Sequence, residues 1–244
     1  MNAAVGAVLW HESSGWSRRA LNAWPTMHAP RPVSHSLAEP MTIVLIRHGE
    51  TALNAARVLQ PADTPLSATG RHQSEALGRR VAGLAIAAIV SSDLPRAWQT
   101  AELLSAATGV PVTADPMLHE RNFGELRGRP YDTLGFDPLA MDAAPAGGES
   151  AAAFAQRAAD AFDVLVRTRE RLHGTLAVVT HGLLIRAMLE ARVALAPCMQ
   201  MPGSFGNTSL TVVSARPPHT ALLLACTSHL DPAARAEPHR HGEA

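Results

Sequence analysis

Along the chain, short apolar runs alternate with longer stretches in which apolar residues recur every three or four positions. Thr42 to Ile46 is a short β-branched run, the pattern of a strand covered on both faces. Ile86 to Val90, Val110 to Thr113 and Leu176 to Val179 read as further strands. Between them, Ser67 offers a cap for a helix whose Leu77, Val81 and Leu84 fall at spacings of four and three. Pro95 suits the first turn of a second helix, with Ala97, Ala101 and Leu104 on one side. Phe154, Ala158, Ala161, Phe162 and Leu165 mark a third helix, and a fourth is expected over residues 183–195. Residues 124–148, rich in Gly, Pro and Asp, read as a long loop. Leu210 to Val213 and Ala221 to Ala225 read as a pair of edge strands.

This alternation predicts the α/β class: a three-layer sandwich with a mostly parallel central sheet and helices on both faces. The predicted domain covers residues 41–228, followed by a polar, flexible tail at 229–244. Residues 1–40 carry three tryptophans, several prolines and no sustained period. They read as a disordered extension or a mis-assigned start, because Met41 stands immediately before the first strand. Ala3 to Trp10 is too short and lacks the preceding cation of a signal peptide, and Arg18-Arg19 is not followed by an apolar segment. No apolar run approaches the roughly 18 residues needed to span a membrane.

Composition narrows the function classes. Hydrophobic residues make up 47% of the 244 positions, enough for a sizeable core, while aromatics at 4% leave most packing to Ala, Leu and Val. Net charge is zero, so the chain lacks the basic footprint of a nucleic-acid partner. All 21 basic residues are arginine, which excludes any mechanism built on lysine. Cys198 and Cys226 form no short metal or redox motif, and a reduced, cytoplasmic setting is expected.

In such sheets, ligands bind beyond the carboxyl ends of the strands. After the first strand come Arg47, His48, Gly49, Glu50 and Thr51; after the second, Ser91, Ser92, Asp93 and then Arg96. After the third come His119, Glu120 and Arg121, and after the fourth His181 and Gly182. Topology thus gathers two histidines, two arginines and a carboxylate on one rim. A phosphomonoester carries close to two negative charges near neutral pH, and the planar forks of Arg47 and Arg96 suit its oxygens. Asn54 adds neutral donors. His48 can attack phosphorus if one ring nitrogen is free and a backbone carbonyl holds the other, and His181 can donate to an equatorial oxygen. A protonated Glu120 can supply the leaving alkoxide with its proton and, once ionised, activate water.

Leu45-Ile46-Arg47-His48-Gly49-Glu50-Thr51 resembles the signature of the histidine phosphatase superfamily, which includes the cofactor-dependent phosphoglycerate mutases. Ser91 to Ala101 resembles its second arginine motif, Leu118 to Gly124 its acid motif, and Thr180-His181-Gly182 its second histidine. Gly147 to Ser150 and Asn207 to Ser209 also resemble family segments, so the likeness runs over about residues 42–226. It implies a phosphoglycerate mutase-like fold, His48 as phosphate acceptor and Glu120 as proton donor, with Arg47, Asn54, Arg96 and His181 as the phosphate pocket. Gln60 and Gly182 join the substrate-binding candidates. One departure is Pro61, where the family often has glycine; proline has no N–H to offer a substrate.

The expected activity is metal-independent hydrolysis of a small phosphorylated metabolite through a phosphohistidine, with no cofactor, by a monomer or homodimer. Two alternatives remain open. One is a cofactor-dependent mutase, against which stand the absent lysine and the short stretch between Gly124 and Glu149. The other is a non-catalytic phosphate-ligand-binding protein on the same scaffold. A metal site at His48, Glu120 and His181 is disfavoured because two arginines aimed at one point repel a cation. His11-Glu12 lacks the second histidine of a zincin motif, His239 and His241 lie in the polar tail, and Gly203 to Gly206 has the wrong spacing for a nucleophile elbow.

Overall fold

The computed structural model describes residues 41–230, so the expectations for residues 1–40 and 231–244, His11, His239 and His241 among them, lie outside the described residues. A six-stranded sheet is built from β1 (Thr42–Arg47), β2 (Ile86–Ser91), β3 (Val112–Ala114), β4 (Thr175–Thr180), β5 (Leu210–Ser214) and β6 (Ala221–Cys226), in the order β3-β2-β4-β1-β5-β6. β1, β2, β3 and β4 run parallel; β5 is antiparallel to β1, and β6 to β5. Every residue of β1 and β4 is buried, as their unbroken apolar runs require.

Helices cover both faces. On one side α2 (Ala68–Val81) and α3 (Pro95–Thr108) pack Leu77, Val81, Ala101 and Leu104 against Val44, Ile46, Ile89 and Val179. On the other, α4 (Ala151–Glu170) and α5 (Gly182–Arg192) pack Phe162, Leu165, Leu184 and Met188 against Ile43, Leu45, Leu176 and Val178. Alternate residues of each central strand thus serve opposite layers, and each fully buried Leu or Ile is worth about 1.5–3 kcal/mol over exposure. A single turn, α1 (Ala52–Ala55), follows β1. Among the described residues no helix is long and apolar enough to cross a membrane.

Several sequence expectations need correction. β5 is an interior strand between β1 and β6, so β6 alone of that pair forms an edge. The third strand starts at Val112 rather than Val110, after Pro111, which cannot donate to a ladder. The last helix ends at Arg192, not near 195, because Ala194 leaves it to bridge Thr220 and donate to His219 O. Within residues 124–148 lie three short 3-10 turns, at Gly124–Leu126, Tyr131–Thr133 and Pro138–Ala140. This stretch is tied to the segment after α1: Leu59 N–H donates to Arg129 O at 3.0 Å and Tyr131 N–H to Arg57 O at 3.0 Å. At the end of the described residues, Leu230 is buried and His229 Nε2 lies 3.0 Å from Thr208 Oγ1.

Candidate active site

The carboxyl ends of β1, β2 and β4 are stitched together by backbone bonds. His48 N–H donates to Thr180 O at 2.9 Å, and Ser92 N–H donates to Val179 O at 3.0 Å. Thr180 Oγ1 donates to Leu118 O at 2.7 Å, which fixes the segment carrying Glu120. His48 and His181 therefore sit side by side, ring centroids 5.2 Å apart.

His48 is 2% exposed. Its Nδ1 lies 2.7 Å from Gly49 O, an acceptor only, so Nδ1 carries the proton and Nε2 is left with its lone pair. Burial, followed by the Arg96 and Arg47 charges, holds the ring well below the usual histidine range and hence uncharged. Burial and Arg96 do the same to His181. Gly49 N–H donates to Thr100 Oγ1 at 3.0 Å, and Thr100 Oγ1 donates to Arg96 O at 2.8 Å. One threonine of α3 thus links the loop after β1 to the arginine of the second motif.

Two guanidiniums reach this point. Arg47 donates through Nη1 to Phe205 O, and Gly182 opens α5 close enough that a Cβ there would lie 3.6 Å from Arg47 Cδ. Arg96 donates through Nη1 to Pro61 O at 3.3 Å, while its Nε is buried with no partner. Burial pulls its pKa down to about 10, against the opposing pull of Glu120. Pro61 therefore takes part through its carbonyl, and the N–H that proline lacks is not needed for this contact.

Glu120 Oε1 accepts from the Arg121 amide at 3.0 Å and Oε2 from the Leu183 amide at 3.2 Å. Glu120 as a residue is half-buried, and burial of its carboxyl raises its pKa over the opposing pull of those amides, Arg96 and Arg47. A Glu120–Arg121 ion pair is absent: the Arg121 side chain turns instead to Met141 O at 2.5 Å and Glu149 O at 3.3 Å. Arg157 braces the same segment, pairing with Glu149 and donating to Met117 O and His119 O.

Thr51 caps α1 and organises the two amides. Its N–H donates to Asn54 Oδ1 at 3.3 Å and its Oγ1 to Gln60 Oε1 at 2.8 Å. Both side chains are thus held by their oxygen ends, leaving their amide nitrogens as donors. Asn54 is tied to the loop of His48 through Asn207, whose Nδ2 donates to both Asn54 Oδ1 and His48 O, and Gln60 precedes Pro61, whose carbonyl accepts from Arg96.

The sequence profile of the histidine phosphatase superfamily (branch 1) matches residues 43–227. The chain belongs to that superfamily. A "Probable phosphoglycerate mutase GpmB" of Yersinia enterocolitica is 32% identical over 183 residues, 71% of this chain and 84% of that protein. A mycobacterial glucosyl-3-phosphoglycerate phosphatase, solved with VO3, is 32% identical with a TM-score of 0.62, over 71% of this chain and 91% of that one. Bacillus stearothermophilus YhfR is 29% identical with a TM-score of 0.66, over 77% and 98%. The superfamily match spans every site residue named above.

Sequence reasoning gave no role to four residues at this site. Asn207 Nδ2 donates to His48 O at 3.0 Å and to Asn54 Oδ1 at 3.3 Å, bridging β5's approach to the loop after β1. Thr100 and Ser92 lie inside the second arginine motif, which was the available signal. Tyr131, the chain's single tyrosine, carries a phenol that burial and then Glu120 push up to about 12; nothing in the spacing of residues 124–148 marks it. Among the described residues, no group of three His, Cys, Asp or Glu side chains is arranged to hold a metal ion.

Proposed function

We propose that this chain hydrolyses phosphomonoesters of small metabolites through a phosphohistidine on His48, without a metal. The observation that carries the reading is a buried, uncharged His48 with Nε2 unshared, its ring 5.2 Å from that of His181, together with buried nitrogen donors that have no protein partner at Arg96 Nε and His181 Nδ1. Such donors are what an anionic, three-oxygen phosphoryl group would satisfy.

In the first half-reaction Nε2 attacks phosphorus, the N–P bond forms and the ester P–O bond breaks. Glu120, whose pKa burial raises, gives a proton in its acid form to the departing alkoxide. In the second, Glu120 takes a proton from water as the water oxygen attacks phosphorus. The N–P bond breaks, inorganic phosphate leaves, and Glu120 is protonated again. Arg47, Arg96 and His181 meet the charge on the phosphoryl oxygens in both steps, aided by the Asn54 and Gln60 amides. Each oriented donor of this kind is worth about 10²–10³ in kcat.

The name of the Yersinia relative favours a second reading, phosphoglycerate mutase. The test is phosphate release from a panel of phosphomonoesters, 3-phosphoglycerate included, in the presence of a chelator. Release that disappears in His48→Ala, with an acid-labile phosphoenzyme trapped in the parent, is the expected result. Interconversion of 3- and 2-phosphoglycerate with a bisphosphate primer and no net release would make the protein a mutase.

A further inference from the structure

Ser92 follows β2 and is fully buried. Its Oγ accepts from the Leu94 amide at 3.3 Å and lies 2.9 Å from His181 Nε2. Among the described residues no other group meets that hydroxyl, so its single proton has one acceptor in reach, the Nε2 lone pair. The opposite arrangement, with Nε2–H donating to Ser92, would leave a buried hydroxyl proton without an acceptor, which folded proteins avoid. A neutral ring that accepts at Nε2 carries its proton on Nδ1, and His181 Nδ1 is the buried atom that has no protein partner.

We propose that Ser92 is a positioning residue: its hydroxyl holds His181 as the Nδ1–H tautomer, so that a donor rather than a lone pair faces the transferring phosphoryl group. This rests on the phosphohydrolase reading above. The two histidines then share one tautomer and present opposite ends. Gly49 O takes the Nδ1 proton of His48 and exposes a lone pair for attack; Ser92 takes the Nε2 lone pair of His181 and exposes a proton. Without the serine, nothing on the protein side chooses between the tautomers, and the wrong one aims a lone pair at an anion.

The test is ring nitrogen NMR on the full chain, with His181 assigned by comparison with His181→Gln, alongside kinetics of Ser92→Ala and Ser92→Thr. In the parent, the His181 signals should report a protonated Nδ1 and an unprotonated Nε2. In Ser92→Ala the Nε2–H form should appear, and kcat should fall about 100-fold, the scale of one lost donor to developing charge. KM should move by less than about threefold, since the ground state keeps its two arginines. Ser92→Thr, which retains the hydroxyl, should restore both the parent signals and kcat. A parent protein with Nε2–H at His181 would overturn the proposal whatever the fate of the variants. So would a Ser92→Ala protein with the parent tautomer and parent kcat. If no phosphomonoester is turned over, the functional reading fails while the parent spectrum still decides what Ser92 does.

Discussion

At the scale of single residues, chemistry here is set by which end of a side chain is already occupied. His48 has one nitrogen engaged by Gly49 O, and Glu120 has one amide on each oxygen in a setting where burial raises its pKa. Glu120→Gln should therefore separate the two half-reactions. On an alkyl phosphate it should lose about 10²–10⁴ in rate, the usual worth of a positioned acid. On para-nitrophenyl phosphate, whose phenolate leaves without a proton, the first step should survive and the second stall. The readout is a burst of nitrophenolate equal to the enzyme, then slow turnover. Equal losses on both substrates in a single turnover would remove Glu120 from the acid role.

At the scale of elements, the loop after β1 is shaped by what packs on it. Ser67 caps α2 by accepting from the Gly70 amide at 3.0 Å and donates to Glu50 Oε1 at 2.7 Å. Gly70 lets the helix touch that loop: a Cβ there would lie 2.0 Å from Glu50 O, and one on Gly49 would lie 2.5 Å from Gly70 O. Gly70→Ala should thus overpack the contact, with a loss of about 1–3 kcal/mol in urea unfolding. It should also lower kcat by displacing His48, two residues from the clash. Ser67→Ala should cost about 1 kcal/mol through the lost cap and leave kcat nearly unchanged. A Gly70→Ala protein with parent kcat would mean that the backbone of the His48 loop does not depend on α2.

At the scale of the molecule, burying two uncharged histidines couples folding to pH. Both have pKa values well below the free value in the folded chain, so between those values and about 6.5 the unfolded chain binds protons that the folded chain refuses. Their contribution is complete above that pH and declines below it, by up to about 1.4 kcal/mol per pH unit for each ring. Glu120 acts in the opposite sense: its raised pKa favours the fold at low pH, and that contribution is lost as pH rises through the folded value. Two rings outweigh one carboxyl. The urea midpoint should therefore fall between about pH 7.5 and about pH 5.5, and His181→Gln should flatten that slope whatever its effect on stability at neutral pH. An unchanged slope would mean that His181 titrates alike in both states.

The layers were legible in the residue pattern alone. Uninterrupted β-branched runs suit only strands covered on both faces, and helices of period 3.6 between them supply the cover, so the parallel core and the rim where the ligand groups meet were legible. What it could not determine were contacts between segments far apart in the chain. That β5 lies inside the sheet depends on its pairing with β1, and the order within residues 124–148 comes from bonds to Leu59 and Arg57. The tautomers were equally hidden. Local sequence names a histidine and a serine, but 89 positions separate Ser92 from His181, and only the packed sheet sets the 2.9 Å contact that orients the ring. Hydrophobic period is a local property and survives in one dimension; hydrogen-bond satisfaction is a property of the whole packed interior.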